Sequence, residues 1–387
     1  MTSFASVDPD TYTPDHELQA RLLTPALAIH LDLVRANVRR ILAHLEGDAN
    51  RWRPHIKTTK LPVVWEILAE EGVRNFKCAT TRELDVLLRT LRDAGVADVD
   101  VLVAYPHRQP ALERLAQIAK ANPEARVSVL IEDKDLVGEV PESISLFLDL
   151  NSGMNRTGIP PQEEATILEL ARSAGPRYRG LHWYDGHLHA DNLYLRRNAV
   201  LEGLAKAAAL LDRIEDVAKL QTEEVISSGT PAFLSSLGGT PIDDCPGTIH
   251  RLSPGTVVFH DLRTQIENKA LGLQPAAVLL TRVISHPGEG LITCDAGSKS
   301  LAAEAETPLC EVLGFPQLEP LRPSEEHLPL RVKDGPRPAR GTLLALVPQH
   351  ICPTVNLAEE VLLFDAGQYS GSAKVEARAR ELLLPEE

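Results

Sequence analysis

The sequence predicts an α/β chain: a (β/α)8 TIM-like barrel followed by a mostly β C-terminal domain. Three observations lead there. Short apolar runs alternate with longer helical patterns through the first two thirds of the chain. The runs VLVAY, VSVLI and ISLFLDL are continuous and apolar, as strands covered by helices on both faces are. After about residue 262 helical periodicity gives way to short strand-like runs divided by Pro, Gly and turn residues. A doubly wound open sheet also alternates strand and helix and remains the architectural alternative.

The elements follow in order. Residues 24–30 (TPALAIH) precede the first helix and are expected to pair with the later β domain. Asp32 is a candidate N-cap, after which Val34, Val38, Ile41, Leu42 and Leu45 recur on one helical face. Candidate strands lie near 52–57, 74–78, 99–104, 126–131, 144–150, 179–184, 223–227 and 256–259, which matches the eight of a barrel. The later runs AAVLLTRVISH, GLITCDA, LLALVP and EVLLFDA give the β domain, and the Pro-rich stretch 315–340 is expected to be loop. The 387 residues suffice for two cores. The expected division is a barrel over 24–262 and a β-rich domain over 263–387, with residues 1–30 packing on the latter.

A formal net charge of -14, spread along the chain, argues against nucleic acid as a partner. No apolar run approaches the length that spans a bilayer, and MTSFASVDPD carries no basic-then-apolar leader pattern. A cytoplasmic protein with no membrane partner is the expectation. Cys78, Cys245, Cys294, Cys310 and Cys352 are scattered and odd in number, unlike a disulfide framework.

Two short segments carry chemistry. In RWRPHIKTTK (51–60), Arg53, His55 and Lys57 alternate and would share one face of a strand. A partly desolvated lysine at the carboxyl end of a barrel strand has a lowered pKa and can condense with a carbonyl. The plainer alternative is a solvated basic strand end. In PQHICPTVNL (348–357), His350 and Cys352 are two apart, so an extended strand would project both to one face as a zinc-like ligand pair. The plainer alternative there is a buried cysteine beside an unrelated histidine.

RPHIKTTK resembles the RPHxKTxK segment of the D-threonine aldolase and D-serine dehydratase family, in the alanine-racemase-like, fold-type III group of pyridoxal 5'-phosphate (PLP) enzymes. DLNSGMNRTG (149–158), GLHWYDGHLHA (180–190), SSGTPAF (227–233), SPGT (253–256), DAGSKS (295–300), SEEHLPL (324–330) and HICPTVNL resemble further blocks of that family in order, from about residue 24 to 370. The resemblance implies that Lys57 carries PLP, with His55 beside it. It places Arg156 near the cofactor's ring oxygen and Tyr184 against the ring, followed by His187. Phosphate binding falls to the turns Ser228, Gly229, Thr230 and Ser253, Gly255, Thr256. Small residues there would let several backbone N–H groups converge, as barrel loops after the seventh and eighth strands often do. Lys57, His55, Arg156 and Tyr184 are thus the candidate catalytic residues.

The resemblance further implies a divalent metal (Zn, Mn or Mg) on His350 and Cys352, with Glu325, Glu326 and His327 as candidate orienting groups. Two departures stand out: many relatives have His where this chain has Thr59, and alanine racemases have Arg where it has Ser253. The implied function is a PLP- and metal-dependent lyase acting on a small D-β-hydroxy-α-amino acid. Cleavage to glycine and an aldehyde, as in D-threonine aldolase, is the leading expectation. Elimination to a keto acid and ammonia, as in D-serine or D-hydroxyaspartate dehydratases, is the alternative. A non-catalytic PLP-binding protein is the alternative of another class. The resemblance also implies a homodimer.

Overall fold

The computed structural model describes residues 3–4, 7–305 and 307–385. The chain divides into two compact units. One, β-rich, comprises 1–41, 58–67 and 256–378; the other, the barrel unit, comprises 42–57, 68–255 and 379–387.

In chain order, β1 (Ala26–His30) belongs to the β-rich unit. The barrel unit holds β2 (Asn75–Cys78), β3 (Asp100–Val103), β4 (Arg126–Ile131), β5 (Ser145–Leu150), β6 (Tyr178–Trp183), β7 (Glu224–Ser227) and β8 (Ile249–Leu252). These form one parallel sheet in sequential order, and helices such as Thr81–Asp93, Gln109–Ala121 and Leu193–Arg213 fall between the strands. The sheet closes through residues 52–56. Trp52 bridges to Leu252 of β8 and His55 to Lys77 of β2, both parallel, and Arg53 and Ile56 donate to the carbonyls of Leu252 and Lys77. Pro54 has no N–H to give, and the strand expected near 52–57 is reduced to these isolated bridges.

The interior of this sheet is layered. At the strands' amino ends, fully buried Arg53 meets Asp100 (2.9 Å) and Glu224 (2.8 Å). Arg179 also meets Asp100 (2.8 Å), and Arg251 pairs with Glu224. Against the upward push of burial, Arg53 and Arg179 hold Asp100 far below the usual carboxylate range. Above this lies an apolar layer of Leu102, Leu130, Phe147 and Ile226. Toward the carboxyl ends the lining turns polar again, with Lys77, Asp149 and His182 all buried.

The β-rich unit adds β9 (Ala277–Gly288), β10 (Leu291–Cys294), β11 (Cys310–Val312), β12 (Leu318–Pro320), β13 (Leu328–Val332), β14 (Leu343–Pro348), β15 (Glu360–Asp365) and β16 (Gln368–Lys374). The sheet runs β12-β13-β10-β9-β1-β15-β16, with β14 joining β9 to β11. β1 is antiparallel to β9 and parallel to β15.

Four local expectations are corrected. The eighth strand is Ile249–Leu252, not 256–259; Pro254 ends it, and Thr256–Val258 forms a single 3-10 turn. The polar pair His250–Arg251 hid that strand. The stretch 315–340 contains β12 and β13, because Leu318, Leu328 and Leu330 are buried despite the surrounding prolines. The helix expected after Asp32 begins at Leu31, so Asp32 lies in its first turn, and a shorter helix, His16–Arg21, precedes it. His350 and Cys352 do not sit on a strand: His350 is the N-cap residue of helix Ile351–Leu357, and Cys352 is in its first turn. All five cysteines are free.

Candidate active site

Lys57 owes its place to the closing segment. Arg53 is fixed by the ion network, and its carbonyl accepts from Ser253 Oγ (2.9 Å). Trp52 Nε1 donates to the carbonyl of Pro254 (3.0 Å). The turn 253–255 therefore lies directly on this segment, so closely that a Cβ at Gly255 would come within 2.3 Å of the His55 carbonyl oxygen. Past His55 the chain turns, and Lys57 N–H donates to His55 Nδ1 (3.4 Å). Arg53 is a structural residue of the barrel floor. One expectation changes here: Lys57 is exposed rather than partly desolvated, because it sits in the turn beyond the last bridge.

The fully buried lysine is Lys77, the third residue of β2. Its Nζ lies 3.4 Å from His182 Nε2, and His182 Nδ1 lies 2.7 Å from Asp149 Oδ1. A carboxylate only accepts, so Nδ1–H donates to Asp149 and Nε2 accepts from Lys77. The charges agree with this. Burial, then Lys77, lower His182, so it is neutral. Burial, then the positive charges of Lys57 and Arg156, push the Lys77 amine well below the usual lysine range. Burial raises Asp149, but His182, Thr157 and Arg156 together outweigh it and keep the carboxyl below its ordinary value.

Tyr184 gathers these groups. Its ring is parallel to that of His182, with centroids 6.3 Å apart. The Arg156 guanidinium lies 4.8 Å from its centroid and Lys77 Nζ lies 5.2 Å away, within cation–π range. Ser152 Oγ donates to the Tyr184 carbonyl. A Cβ at Gly229 would meet the Tyr184 hydroxyl at 3.0 Å, so the turn Ser228–Thr230 lies against this ring. Ser228 itself has a positive φ of 65°.

The structure thus brings Lys57, His55, Arg156, Tyr184 and the turns 228–230 and 253–255 into one unit. Sequence reasoning missed Lys77, Asp149, His182 and Asp185. For Lys77, Asp149 and His182 a polar residue on a buried strand was the available signal, and Asp185 lay inside a quoted motif just past the end of β6.

His350, Cys352 and Thr256 belong to the β-rich unit. His350 Nδ1 meets Glu304 Oε1 at 2.6 Å. Asp261 Oδ2 accepts from Ile351 N–H (3.1 Å), and Cys352 Sγ lies 3.1 Å from Thr58 Oγ1 and 3.5 Å from Thr256 Oγ1. Burial works against the charge on His350, but Cys352, Asp261 and Glu304 lift its pKa to about 9. Glu325 and Glu326 are exposed and pair with Lys299 instead. Among the described residues no group of three or more His, Cys, Asp and Glu is arranged to hold a metal ion. Imidazole and thiol suit a zinc-like ion in kind.

A closed parallel barrel with a lysine turn, flanked by cationic and aromatic groups and two small-residue turns, defines a class of barrel enzymes with an amine at the strand ends. Residues 29–259, more than half the chain, match the "Alanine racemase, N-terminal domain" family, and residues 276–364 match the "Putative serine dehydratase domain" family. The chain belongs to the alanine racemase N-terminal domain family.

The chain is similar to a D-threonine aldolase of an Arthrobacter species, 26% identical over 375 residues that cover 93% of each chain. It is similar to a 3-hydroxy-D-aspartate aldolase of Paracoccus denitrificans, 25% identical with 88% of each chain covered. The crystal structure of D-threonine aldolase from Filomicrobium marinum aligns with a TM-score of 0.80 at 25% identity, over 93% of this chain and 96% of that one. The protein is an enzyme of the lyase class.

Family membership implies PLP, and the residues fit it. Lys57 offers an exposed amine, Arg156 a cation and Tyr184 a ring. Next to Tyr184, Asp185 adds a buried carboxyl whose oxygens have no hydrogen-bond partner among the described residues.

Proposed function

We propose that this protein is a PLP- and divalent-metal-dependent lyase that cleaves a D-β-hydroxy-α-amino acid to glycine and an aldehyde. The observation that carries the reading is the convergence of Lys57, Arg156, Tyr184 and the turn 228–230 within the barrel unit. The named relatives support the aldolase direction.

Lys57, exposed and braced through His55, would hold the cofactor covalently and later hold or move a proton at the substrate's α-carbon. Bound PLP supplies an electron sink for the bond that breaks at that carbon. Arg156 would face an anionic ring oxygen, and Tyr184, pinned by Gly229 and the cations on its ring, would fix the ring's plane. The turns 228–230 and 253–256 would hold the phosphate from their backbone N–H groups. The neutral His182, anchored by Asp149 and Lys77, gives the floor of the site one orientation. A divalent metal (Zn, Mn or Mg) on His350 and Cys352 would supply Lewis acidity toward a substrate oxygen.

Elimination of the β-hydroxyl to a keto acid and ammonia is the second reading, and the serine dehydratase domain match over 276–364 favours it. Product analysis with D-threonine, D-serine and 3-hydroxy-D-aspartate separates the two. Glycine plus aldehyde is expected; ammonia plus keto acid from every substrate would move the assignment to a dehydratase. We further propose that barrel and β-rich domains divide near residue 262, and that the protein is a cytoplasmic homodimer.

A further inference from the structure

Asp185 follows Tyr184 and is 1% exposed. Neither of its carboxyl oxygens has a hydrogen-bond partner among the described residues. The backbone N–H groups of Gly229 and Ser228 face it without completing a bond. The local chain is built tightly around it. A Cβ at Gly186 would meet the Tyr184 hydroxyl at 2.3 Å, and one at Gly229 would meet it at 3.0 Å. The carboxyl and the Tyr184 hydroxyl therefore flank one turn. A buried polar group without a partner is rare and costly, and it calls for a missing ligand or another explanation.

We propose that Asp185 completes the anion site of the turn 228–229 by donating its carboxylic-acid hydrogen to the phosphate that this turn holds from its backbone. The inference rests on the PLP reading and adds a residue to it. A carboxylic acid gives a short, charge-assisted bond to a phosphate oxygen, whereas a carboxylate beside the same phosphate repels it. Burial lifts Asp185 to about 7, with the backbone N–H groups and the Lys77 amine on β2 pulling it back. Lys77 is the charged side chain that acts on it, and it is itself pushed well below the usual lysine range by burial. Phosphate retention should therefore weaken as pH rises through neutrality.

The test uses the full chain freed of cofactor, with pyridoxine 5'-phosphate and pyridoxine as probes. Neither can condense with a lysine, so the lysine linkage does not enter the pH profile. The wild-type dissociation constant for pyridoxine 5'-phosphate should rise about tenfold or more between pH 6 and pH 8.5, while that for pyridoxine stays flat. In Asp185→Asn, whose amide donates at every pH, the rise should vanish. Parallel profiles for the two probes in the wild type would overturn the inference and leave the PLP reading standing, and so would a rise that survives in Asp185→Asn. The wild-type pair of profiles decides the matter if that variant does not fold. Failure of the wild type to bind PLP itself would instead overturn the cofactor reading, and this inference with it.

Discussion

A lysine that condenses with a cofactor aldehyde needs a free amine and a path to solvent. Lys57 is exposed, and Lys77 is buried among Lys57, Arg156, Asp149 and His182. Lys60 is excluded as a substitute, because its Nζ is buried and donates to the Ala377 carbonyl at 3.2 Å. Lys57→Ala should therefore abolish the visible absorbance of the PLP-loaded protein, and borohydride reduction of the wild type should leave the label on the Lys57 peptide. A label on the Lys77 peptide would transfer the role to that residue. Asp185 gives a second residue-scale prediction through linkage. Its folded pKa, lifted by burial to about 7, lies above that of an unfolded aspartate, so the folded state holds the proton more tightly. The stability this contributes is complete below about pH 4 and is lost as pH climbs toward 7, by at most about 4 kcal/mol. The stability of Asp185→Asn relative to wild type, from urea midpoints, should shift in the variant's favour between pH 5 and pH 8. A difference that is constant over that range would show that the carboxyl does not titrate there.

At the scale of elements, the contact between the turn after β8 and the segment that closes the barrel matters most. Gly255 lies against the His55 carbonyl with no room for a Cβ, and backbone atoms are the obstacle. Gly255→Ala should cost roughly 2–4 kcal/mol, somewhat above ordinary overpacking because rigid main chain must move. It should also weaken cofactor retention, since the same displacement reaches Lys57. Denaturation midpoints and PLP content measured together check this, and wild-type values for both would show that the turn and the closing segment are not coupled. The same elements show what was legible in the sequence. Continuous apolar strands such as β3, β4 and β5 announced themselves, because burial on both faces leaves few polar residues, Ser128 and Asp149 among them, to interrupt the run. β8 did not, because His250 and Arg251 are satisfied inside by Ser227 and Glu224, and polar residues on a strand look like loop. Lys77 and His182 were missed for that reason too: only the fold shows that they meet. Motif blocks placed Lys57, Arg156 and Tyr184, but no spacing could have shown that Tyr184 lies on Gly229. The H-x-C pair was misread as extended, because Pro353 lies within the first turn of a helix, a position proline tolerates.

At the scale of the whole molecule, the two candidate ligand sets lie on different units. Lys57, Arg156, Tyr184 and the turn 228–230 are in the barrel unit, and His350 and Cys352 are in the β-rich unit. Apart from Thr256, whose Oγ1 lies 3.5 Å from Cys352 Sγ, the PLP set and the metal pair belong to different units, so the two losses should separate. A chelator such as EDTA should remove turnover of a D-β-hydroxy amino acid while the PLP absorbance persists, and Zn, Mn or Mg should restore turnover. His350→Ala and Cys352→Ala should each lower kcat at least about a hundredfold with PLP content unchanged, the scale seen when a metal's surroundings are disturbed. Removing His350 also frees Glu304 and leaves Cys352 without its imidazole neighbour, so denaturation midpoints must accompany the kinetics. A variant that unfolds would lose PLP as well, whereas a ligand defect would not. Exchange of the substrate's α-proton by Lys57 requires no Lewis acid and should survive chelation. Full turnover by the chelated protein would remove the metal from the reaction and move the assignment toward a metal-independent enzyme of the same family.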